Sequence, residues 1–169
     1  MIGYVDTSTL IKLLIAEPGS IEARRIWSEA EKLVSAKTVV VEAHAALGAA
    51  RRAGRLSARR FGDAASSLRL IIDQIALIDI TDDIIRYASS LAVSEALRGY
   101  DAIHLAAALV ARIDVLTSSD IDLCAAAQRN GVHVANPTAS GNVRRPAGSG
   151  SAAQPAARAS ASALRPAAN

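Results

Sequence analysis

The chain has 169 residues, 51% of them hydrophobic, which suits one domain with a substantial core. Its single cysteine, Cys124, excludes an intramolecular disulfide and a cysteine-based zinc site. Residues 1–139 hold 15 Lys and Arg against 16 Asp and Glu, and the remaining four arginines follow residue 139. The net charge of +3 is therefore weak evidence that the body of the protein, residues 1–139, binds nucleic acid.

The sequence predicts neither export nor a membrane-spanning segment. Met1 leads directly into IGYVD without a basic segment, so we expect no signal peptide. The apolar runs are short and interrupted by Asp, as in LIIDQIALIDI, so we expect no membrane-spanning helix. The expected location is the cytoplasm.

The first third of the chain predicts a strand, two helices and a second strand. The segments are IGYVD (2–6), TSTLIKLLIAE (7–17), SIEARRIWSEAEKL (20–33) and VSA (34–36). The third segment has the spacing of an amphipathic helix, with Ile21, Ile26 and Leu33 directed inward.

Two longer helices are predicted next. TVVVEAHAALGAARRAG contains three valines, but its length and its alanines favour a helix with Thr38 as N-cap and Gly54 as stop. SARRFGDAASSLRLIID predicts a further helix after Ser57 as N-cap.

The rest of the body predicts alternating strands and helices. These are a strand QIALIDI (74–80), a helix from Asp82 to Arg98 capped by Thr81 and closed by Gly99, a helix from Asp101 to about Arg112, a strand DVLTS (114–118), a helix DIDLCAAAQRN ended by Gly131, and a strand VHVAN (132–136). This alternation predicts an α/β fold, a single domain with a mainly parallel central sheet flanked by helices.

The composition changes at Pro137. The remaining residues are mostly Ala, Ser, Pro, Gly and Arg, with too little apolar surface to offset the entropy of ordering them. We therefore predict a domain at residues 1–137 and a disordered tail at 138–169. The tail is interpreted as a solvated segment, with an electrostatic contact to RNA as the alternative.

Four acids occupy the junctions between predicted elements. Asp6 ends the first strand, Asp120 follows the VLTSS strand, and Asp101 begins a helix made for burial. Glu42 lies in the first turns of an otherwise apolar helix. Singly, each has a local explanation, a helix cap for Asp101 and Asp120, a turn former for Asp6 and a partly exposed residue for Glu42.

Together these acids predict a cation site. Sites in open parallel sheets form beyond the carboxyl ends of the strands, which places Asp6 and Asp120 at one edge. No Lys or Arg accompanies the four acids in their own segments. Two like charges about 4 Å apart repel by about 4 kcal/mol at an effective dielectric of 20, so converging carboxylates need a cation. A ligand set made only of oxygens selects Mg²⁺ or Mn²⁺ over zinc.

Five segments in order resemble the PIN domain, and most of all the VapC-type toxins of bacterial toxin–antitoxin pairs. They are YVDTSTLIKLL, VVVEAHAAL, RAGRLS, YDAIHLAAAL and LTSSDIDLCAAAQRNGVHV. The resemblance covers roughly residues 1 to 137. Any one segment would be a weak signal, but their order and spacing together are specific.

The resemblance implies an acidic site at Asp6, Glu42, Asp101 and Asp120, which serve both as catalytic residues and as metal ligands. Ser118 fits the hydroxyl residue that the family carries two positions before its fourth acid. Asp122 could replace Asp120, but Leu123 matches the apolar position that follows the fourth acid, which favours Asp120. Hydrogen bonds to the cluster are expected from Thr7 or Ser8.

Two further features leave alternatives open. His104, three residues after Asp101, could be a general base, but a packing or hydrogen-bonding role near the site is favoured. The arginines at 51, 52, 55, 59 and 60 form the densest basic patch of the body. They are either a solvated helical hairpin or a contact for the RNA backbone or a partner protein.

The implied activity is metal-dependent hydrolysis of RNA phosphodiester bonds, with Mg²⁺ as the cofactor and Mn²⁺ as a substitute. The implied partners are the RNA substrate, a cognate antitoxin that covers the acidic groove, and a second copy of the chain in a homodimer. The alternative is a catalytically silent PIN-like module that binds RNA or protein. An aspartyl-phosphate enzyme using Asp6 is disfavoured, because DTST lacks a second Asp two residues on.

Overall fold

A computed structural model describes residues 1–139 of the chain. It contains five strands and seven helices in that range. The strands are β1 (Ile2–Val5), β2 (Lys32–Ala36), β3 (Ala76–Ile78), β4 (Val115–Thr117) and β5 (His133–Ala135). The helices are α1 (Thr7–Leu14), α2 (Ser20–Glu29), α3 (Val39–Arg52), α4 (Ala58–Ile72), α5 (Asp82–Ser94), α6 (Gly99–Val110) and α7 (Ile121–Arg129).

The strands form one sheet in the order β3-β2-β1-β4-β5, and all four strand pairs are parallel. The predicted α/β fold with a parallel central sheet is therefore confirmed. The chain builds outward from β1 to β3, then crosses to the other side of β1 to place β4. The direction of winding thus reverses between β1 and β4, where such sheets leave a crevice for a ligand.

Alternating side chains of the strands pack into two hydrophobic cores, one on each face of the sheet. Tyr4 packs with α5, α6 and α7, whereas its neighbour Val5 packs with α1, α3 and α4. Val34 and Leu33 of β2 divide in the same way. This period of two is the expected pattern for a strand buried on both faces, and it directs Tyr4 toward α6.

Two predicted helices overrun the observed ends by four residues, and the helix predicted at residues 7–17 ends three residues early, at Leu14. The helix predicted at residues 20–33 ends at Glu29, because Leu33 joins β2 and pairs with Gly3 of β1. The predicted inward position of Ile21 is also wrong, since 81% of this side chain is exposed. Pairing with the central strand overrides the local helical spacing at this point.

The second error concerns the helix predicted to run from Asp82 to Arg98. It ends at Ser94, and Ala96 adopts a left-handed conformation with φ of 54°. Gly99, predicted to close this helix, is instead the first residue of α6. The first of the two predicted helices is therefore about one turn shorter than expected, and the second begins two residues earlier.

The chain after β5 returns to the first half of the domain. Gly19 has φ of +90°, and a Cβ there would lie 2.7 Å from the carbonyl oxygen of Pro137. Only glycine fits this approach. The predicted disordered tail lies, from residue 140 onward, outside the described residues. No helix within residues 1–139 is long and apolar enough to cross a bilayer.

Candidate active site

The crevice between β1 and β4 is lined by the residues that follow each strand. Asp6 comes directly after β1, and Ser118 comes directly after β4. The backbone amide of Asp6 donates to the carbonyl of Thr117, so the two strand ends are held side by side. This arrangement brings residues 112 positions apart into one site.

Asp6 is the most constrained of the four predicted acids. It is 5% exposed and is the N-cap of α1, where its Oδ1 accepts from the Thr9 amide at 2.9 Å. Its Oδ2 accepts from the hydroxyls of Ser8 at 2.9 Å and Ser118 at 2.7 Å. The charge is therefore solvated by dipoles, and no Lys or Arg of the described chain forms an ion pair with it.

Asp120 is tied to Asp6 through Ser118. The Asp120 amide donates to Oγ of Ser118 at 2.9 Å, while that hydroxyl donates to Asp6. The Asp120 carboxylate caps α7 by accepting from the Leu123 amide at 2.9 Å. The predicted capping role and the predicted place in the cluster are therefore both present in this residue.

Asp101 differs, because capping does not explain it. It lies in the first turn of α6, and its carboxylate accepts no hydrogen bond within the part of the chain that the structure describes. Burial raises the pKa of Asp101 above its ordinary value, and the charge of Asp120 raises it further. The charge of Asp6 also raises the pKa of Asp101, whereas His104 and Arg98 lower it. Three carboxylates thus share one electrostatic environment.

Glu42 reaches the site from α3 and has the opposite electrostatic balance. Burial alone would raise the pKa of Glu42, but hydrogen bonds, first that of His104 and then those of Thr7 and Thr38, outweigh it, and the net shift is downward. The Nε2 atom of His104 lies 3.0 Å from Oε1, and the hydroxyl of Thr7 donates to Oε2 at 3.0 Å. Glu42 therefore stays ionised at neutral pH.

The residues expected to support the acids form hydrogen bonds with them. Thr7 contacts Glu42 and Ser8 contacts Asp6, so both residues expected from the sequence contribute. His104 is 2% exposed and bridges Tyr4 and Glu42, the hydrogen-bonding role favoured from the sequence. Tyr4 was not predicted as a site residue, although a buried tyrosine hydroxyl usually needs a partner.

Asp120 and Asp122 lie in different surroundings. Asp122 is exposed on the first turn of α7, whereas Asp120 is half-buried at its N-cap and is among the charges that raise the pKa of Asp101. Thr117 turns away from the cluster, since its hydroxyl donates to the carbonyl of Tyr4 at 2.9 Å.

The arginines of the basic patch lie at the far end of α3 and the start of α4, and all five are exposed. The guanidinium of Arg51 lies 5.1 Å from the centre of the Phe61 ring. Arg55 lies 3.9 Å from a carboxylate oxygen of Glu17. Neither contact selects between the solvated hairpin and a binding surface.

The donor set of the cluster suits a divalent cation, although no three His, Cys, Asp or Glu side chains of residues 1–139 are placed to hold one ion together. No Lys or Arg of that range forms an ion pair with the four acids, and the ion-pair partner of Glu42 is His104. A buried hydroxyl oxygen next to Asp120, Ser119 Oγ, has no hydrogen-bond partner there. Carboxylates without counter-ions and a spare hydroxyl fit a hydrated hard metal.

Comparison with known proteins gives a consistent relationship. The profile of the PIN domain matches residues 3–128. Ribonuclease VapC45 of Mycobacterium tuberculosis is 35% identical over 106 residues, which are 63% of this chain and 74% of VapC45.

Solved structures share the fold. VapC20 of Mycobacterium tuberculosis, described as a sarcin-ricin loop cleaving toxin, superposes with a TM-score of 0.58 at 25% identity, covering 73% of this chain and 94% of VapC20. A toxin–antitoxin complex from Klebsiella pneumoniae gives a TM-score of 0.56 at 19% identity, covering 80% and 97% of the two chains. With the profile match over most of the described chain, the resemblance seen in the sequence is confirmed, and the chain belongs to the PIN domain family.

Proposed function

We propose that this chain is a metal-dependent endoribonuclease that hydrolyses RNA phosphodiester bonds and acts as the toxin of a type II toxin–antitoxin system. The observation that carries the proposal is the gathering of Asp6 and Asp120, joined through Ser118, with Asp101 at the switch point of the sheet, without a Lys or Arg partner within residues 1–139. The ribonuclease name of the 35% identical relative supports the same activity.

The ligands of the proposed metal are Asp6, Glu42, Asp101 and Asp120. Because they offer only carboxylate oxygens, Mg²⁺ is the expected ion and Mn²⁺ a substitute. A bound divalent ion supplies Lewis acidity, which makes an attacking water more acidic and offsets charge on the phosphate and the leaving oxygen.

The chain's own residues divide the work of building this site. The backbone amides at the starts of α1 and α7 hold Asp6 and Asp120 in place. Asp101 keeps both oxygens free of hydrogen bonds within the described residues, so it can turn toward a cation without losing a partner. The acids also repel an RNA phosphate, so cleavage at this site depends on the cation.

Neither Cys124 nor Ser118 suits a covalent mechanism. Burial raises the pKa of the Cys124 thiol to about 11, helped by the charge of Asp6. The thiol is therefore protonated at neutral pH, whereas the thiolate is the reactive form. Ser118 is 0% exposed, and its hydroxyl is held between the Asp6 carboxylate and the Asp120 amide, so it does not reach an RNA phosphate.

The proposed partners follow from the same site. An antitoxin that places a basic side chain among the acids would supply the missing counter-charge and block the metal, which is the expected mode of inhibition. We also propose a homodimer, supported by exposed apolar side chains on α5 and α6, among them Val93 at 85% and Val110 at 56% exposure. The cytoplasm, which holds the RNA, is the proposed location.

Growth of a bacterial host during induced expression tests the proposal. The parent chain should arrest growth, and Asp6→Asn should relieve the arrest, because asparagine keeps the cap of α1 but removes the charge. Asp122→Asn is the matched control and should arrest growth like the parent. Arrest by a folded Asp6→Asn protein would favour the alternative of a binding module without catalysis.

A further inference from the structure

A buried chain of hydrogen bonds connects the central strand to Glu42. The Ala36 amide donates to the hydroxyl oxygen of Tyr4 at 2.9 Å, and that hydroxyl lies 2.7 Å from Nδ1 of His104. Nε2 of His104 lies 3.0 Å from Oε1 of Glu42. Tyr4 and His104 are 0% and 2% exposed, so water does not compete for these bonds.

The proton of each bond can be placed from its neighbours. The Glu42 carboxylate can only accept, so the proton of its bond to His104 lies on Nε2, which leaves Nδ1 of a neutral imidazole as the acceptor of the Tyr4 hydroxyl. Tyr4 therefore donates to His104, and His104 donates to Glu42.

Glu42 depends on this donor more than the other acids do. Asp6 and Asp120 are held by backbone amides at helix starts, which come with the fold. The longer side chain of Glu42 has no such amide and is held by two side-chain donors, His104 at Oε1 and Thr7 at Oε2. Its orientation therefore rests on the identity of those side chains.

Simple core packing does not require this polar chain. A phenylalanine and a leucine would fill a similar volume without removing a hydroxyl and an imidazole from water. The bonds instead end on a partly exposed carboxylate with 20% of its side chain accessible. Burying the Tyr4 hydroxyl and the His104 imidazole costs free energy, and the hydrogen bonds formed in return hold Glu42 in position.

We propose that Tyr4 and His104 are positioning residues that fix the Glu42 carboxylate for binding a divalent metal, with Tyr4 selecting the tautomer of His104 that donates to Glu42. This inference rests on the proposed function, in which Glu42 is a metal ligand. Changes to hydrogen-bonded partners of metal ligands typically reduce metal affinity by about 10–100-fold, which is the size of effect expected here.

Metal binding without RNA gives the first readout. Mn²⁺ is titrated into the purified full chain and free Mn²⁺ is followed by electron paramagnetic resonance. Tyr4→Phe and His104→Leu should each raise the Kd by about 10–100-fold. His104→Gln keeps an N–H donor and should fall between the parent and His104→Leu. Tyr87→Phe and His44→Gln, at exposed positions, should match the parent.

The tautomer gives a second readout that a packing role would not change. In ¹⁵N spectra of the metal-free chain, the His104 signals are those lost in His104→Gln. They should show a protonated Nε2 and an unprotonated Nδ1 in the parent, and a shift of the proton toward Nδ1 in Tyr4→Phe. Circular dichroism establishes that each variant is folded before it is compared.

The outcomes separate this inference from the proposed function. If the parent binds Mn²⁺ but folded Tyr4→Phe and His104→Leu bind it with an unchanged Kd, the positioning role is wrong and the metal site stands. An Nδ1-protonated His104 in the parent also overturns the inference. If the parent binds no Mn²⁺ at millimolar concentration, the proposed function fails, and this inference fails with it.

Discussion

The hydroxyl of Ser118 donates to Oδ2 of Asp6 at 2.7 Å, joining the ends of two neighbouring parallel strands. The hydroxyl oxygen of Ser118 also accepts a hydrogen bond from the Asp120 amide at 2.9 Å. A single buried hydroxyl therefore fixes the separation of two proposed ligands, as donor to one and acceptor from the backbone of the other.

Ser118→Ala should destabilise the domain, because it leaves the Asp120 amide without its acceptor and Asp6 without one donor. An unsatisfied buried polar group costs about 1–3 kcal/mol. Thermal denaturation in EDTA measures the effect, with Ser66→Ala on the exposed face of α4 as the control. A melting temperature equal to that of the parent would show that this bond contributes little.

Asp101→Asn should abolish RNA cleavage while the melting temperature in EDTA equals or exceeds that of the parent. The substitution keeps the shape of the side chain but removes one of several mutually repelling charges. Because the pKa of Glu42 is lowered and not raised, Glu42→Gln should instead reduce the melting temperature. Equal effects of the two variants would contradict the electrostatic description of the site.

The stability difference between Asp101→Asn and its parent should depend on pH. The pKa of Asp101 is raised in the folded chain, so its ionisation destabilises the parent above that pKa. As the pH falls through this raised pKa, the parent binds a proton and loses the repulsion. The advantage of Asp101→Asn should therefore be present at neutral pH and shrink in acid, as measured by denaturant unfolding at several pH values.

Much of this architecture could be predicted from local sequence, and the exceptions have a common physical cause. Capping residues such as Ser57 and Thr81 were predictable because their side chains bond amides three residues away. Leu33 was misplaced in a helix because its strand exists only through pairing with β1. That information is not local.

The candidate site follows the same rule. Asp6 and Asp120 could be predicted because strand ends in a parallel sheet share one edge. The link between Tyr4 and His104 could not, since it spans 100 residues and depends on which face of β1 the tyrosine occupies. A tyrosine in a strand is ordinarily a core residue, and nothing adjacent in sequence indicates its partner.

Gly19→Ala should destabilise the domain more than Gly54→Ala. Both glycines have positive φ, at +90° and +72°, and left-handed backbone costs a residue with a Cβ about 1–2 kcal/mol. A Cβ at Gly19 would also lie 2.7 Å from the Pro137 oxygen, whereas one at Gly54 meets nothing within 4 Å. Chemical denaturation compares the two, and equal losses would show that the Pro137 contact yields without cost.

A chain that ends at Ala139 should keep its melting temperature and its metal-dependent cleavage. The two core clusters and the four acids all precede residue 139, and the Asn136 side chain bonds Thr138 within the retained part. Differential scanning calorimetry of the short and full chains tests the predicted domain boundary. A drop of many degrees on shortening would place structural contacts in the removed residues.

Cleavage of RNA with and without divalent metal tests the central claim most directly. Purified protein is incubated with tRNA and rRNA in Mg²⁺, in Mn²⁺ and in EDTA, with Asp101→Asn as the matched inactive variant. The account predicts fragments in Mg²⁺ or Mn²⁺, none in EDTA, recovery when metal is restored, and none with Asp101→Asn. Undiminished cleavage in EDTA, or cleavage by Asp101→Asn at the parental rate, would contradict it.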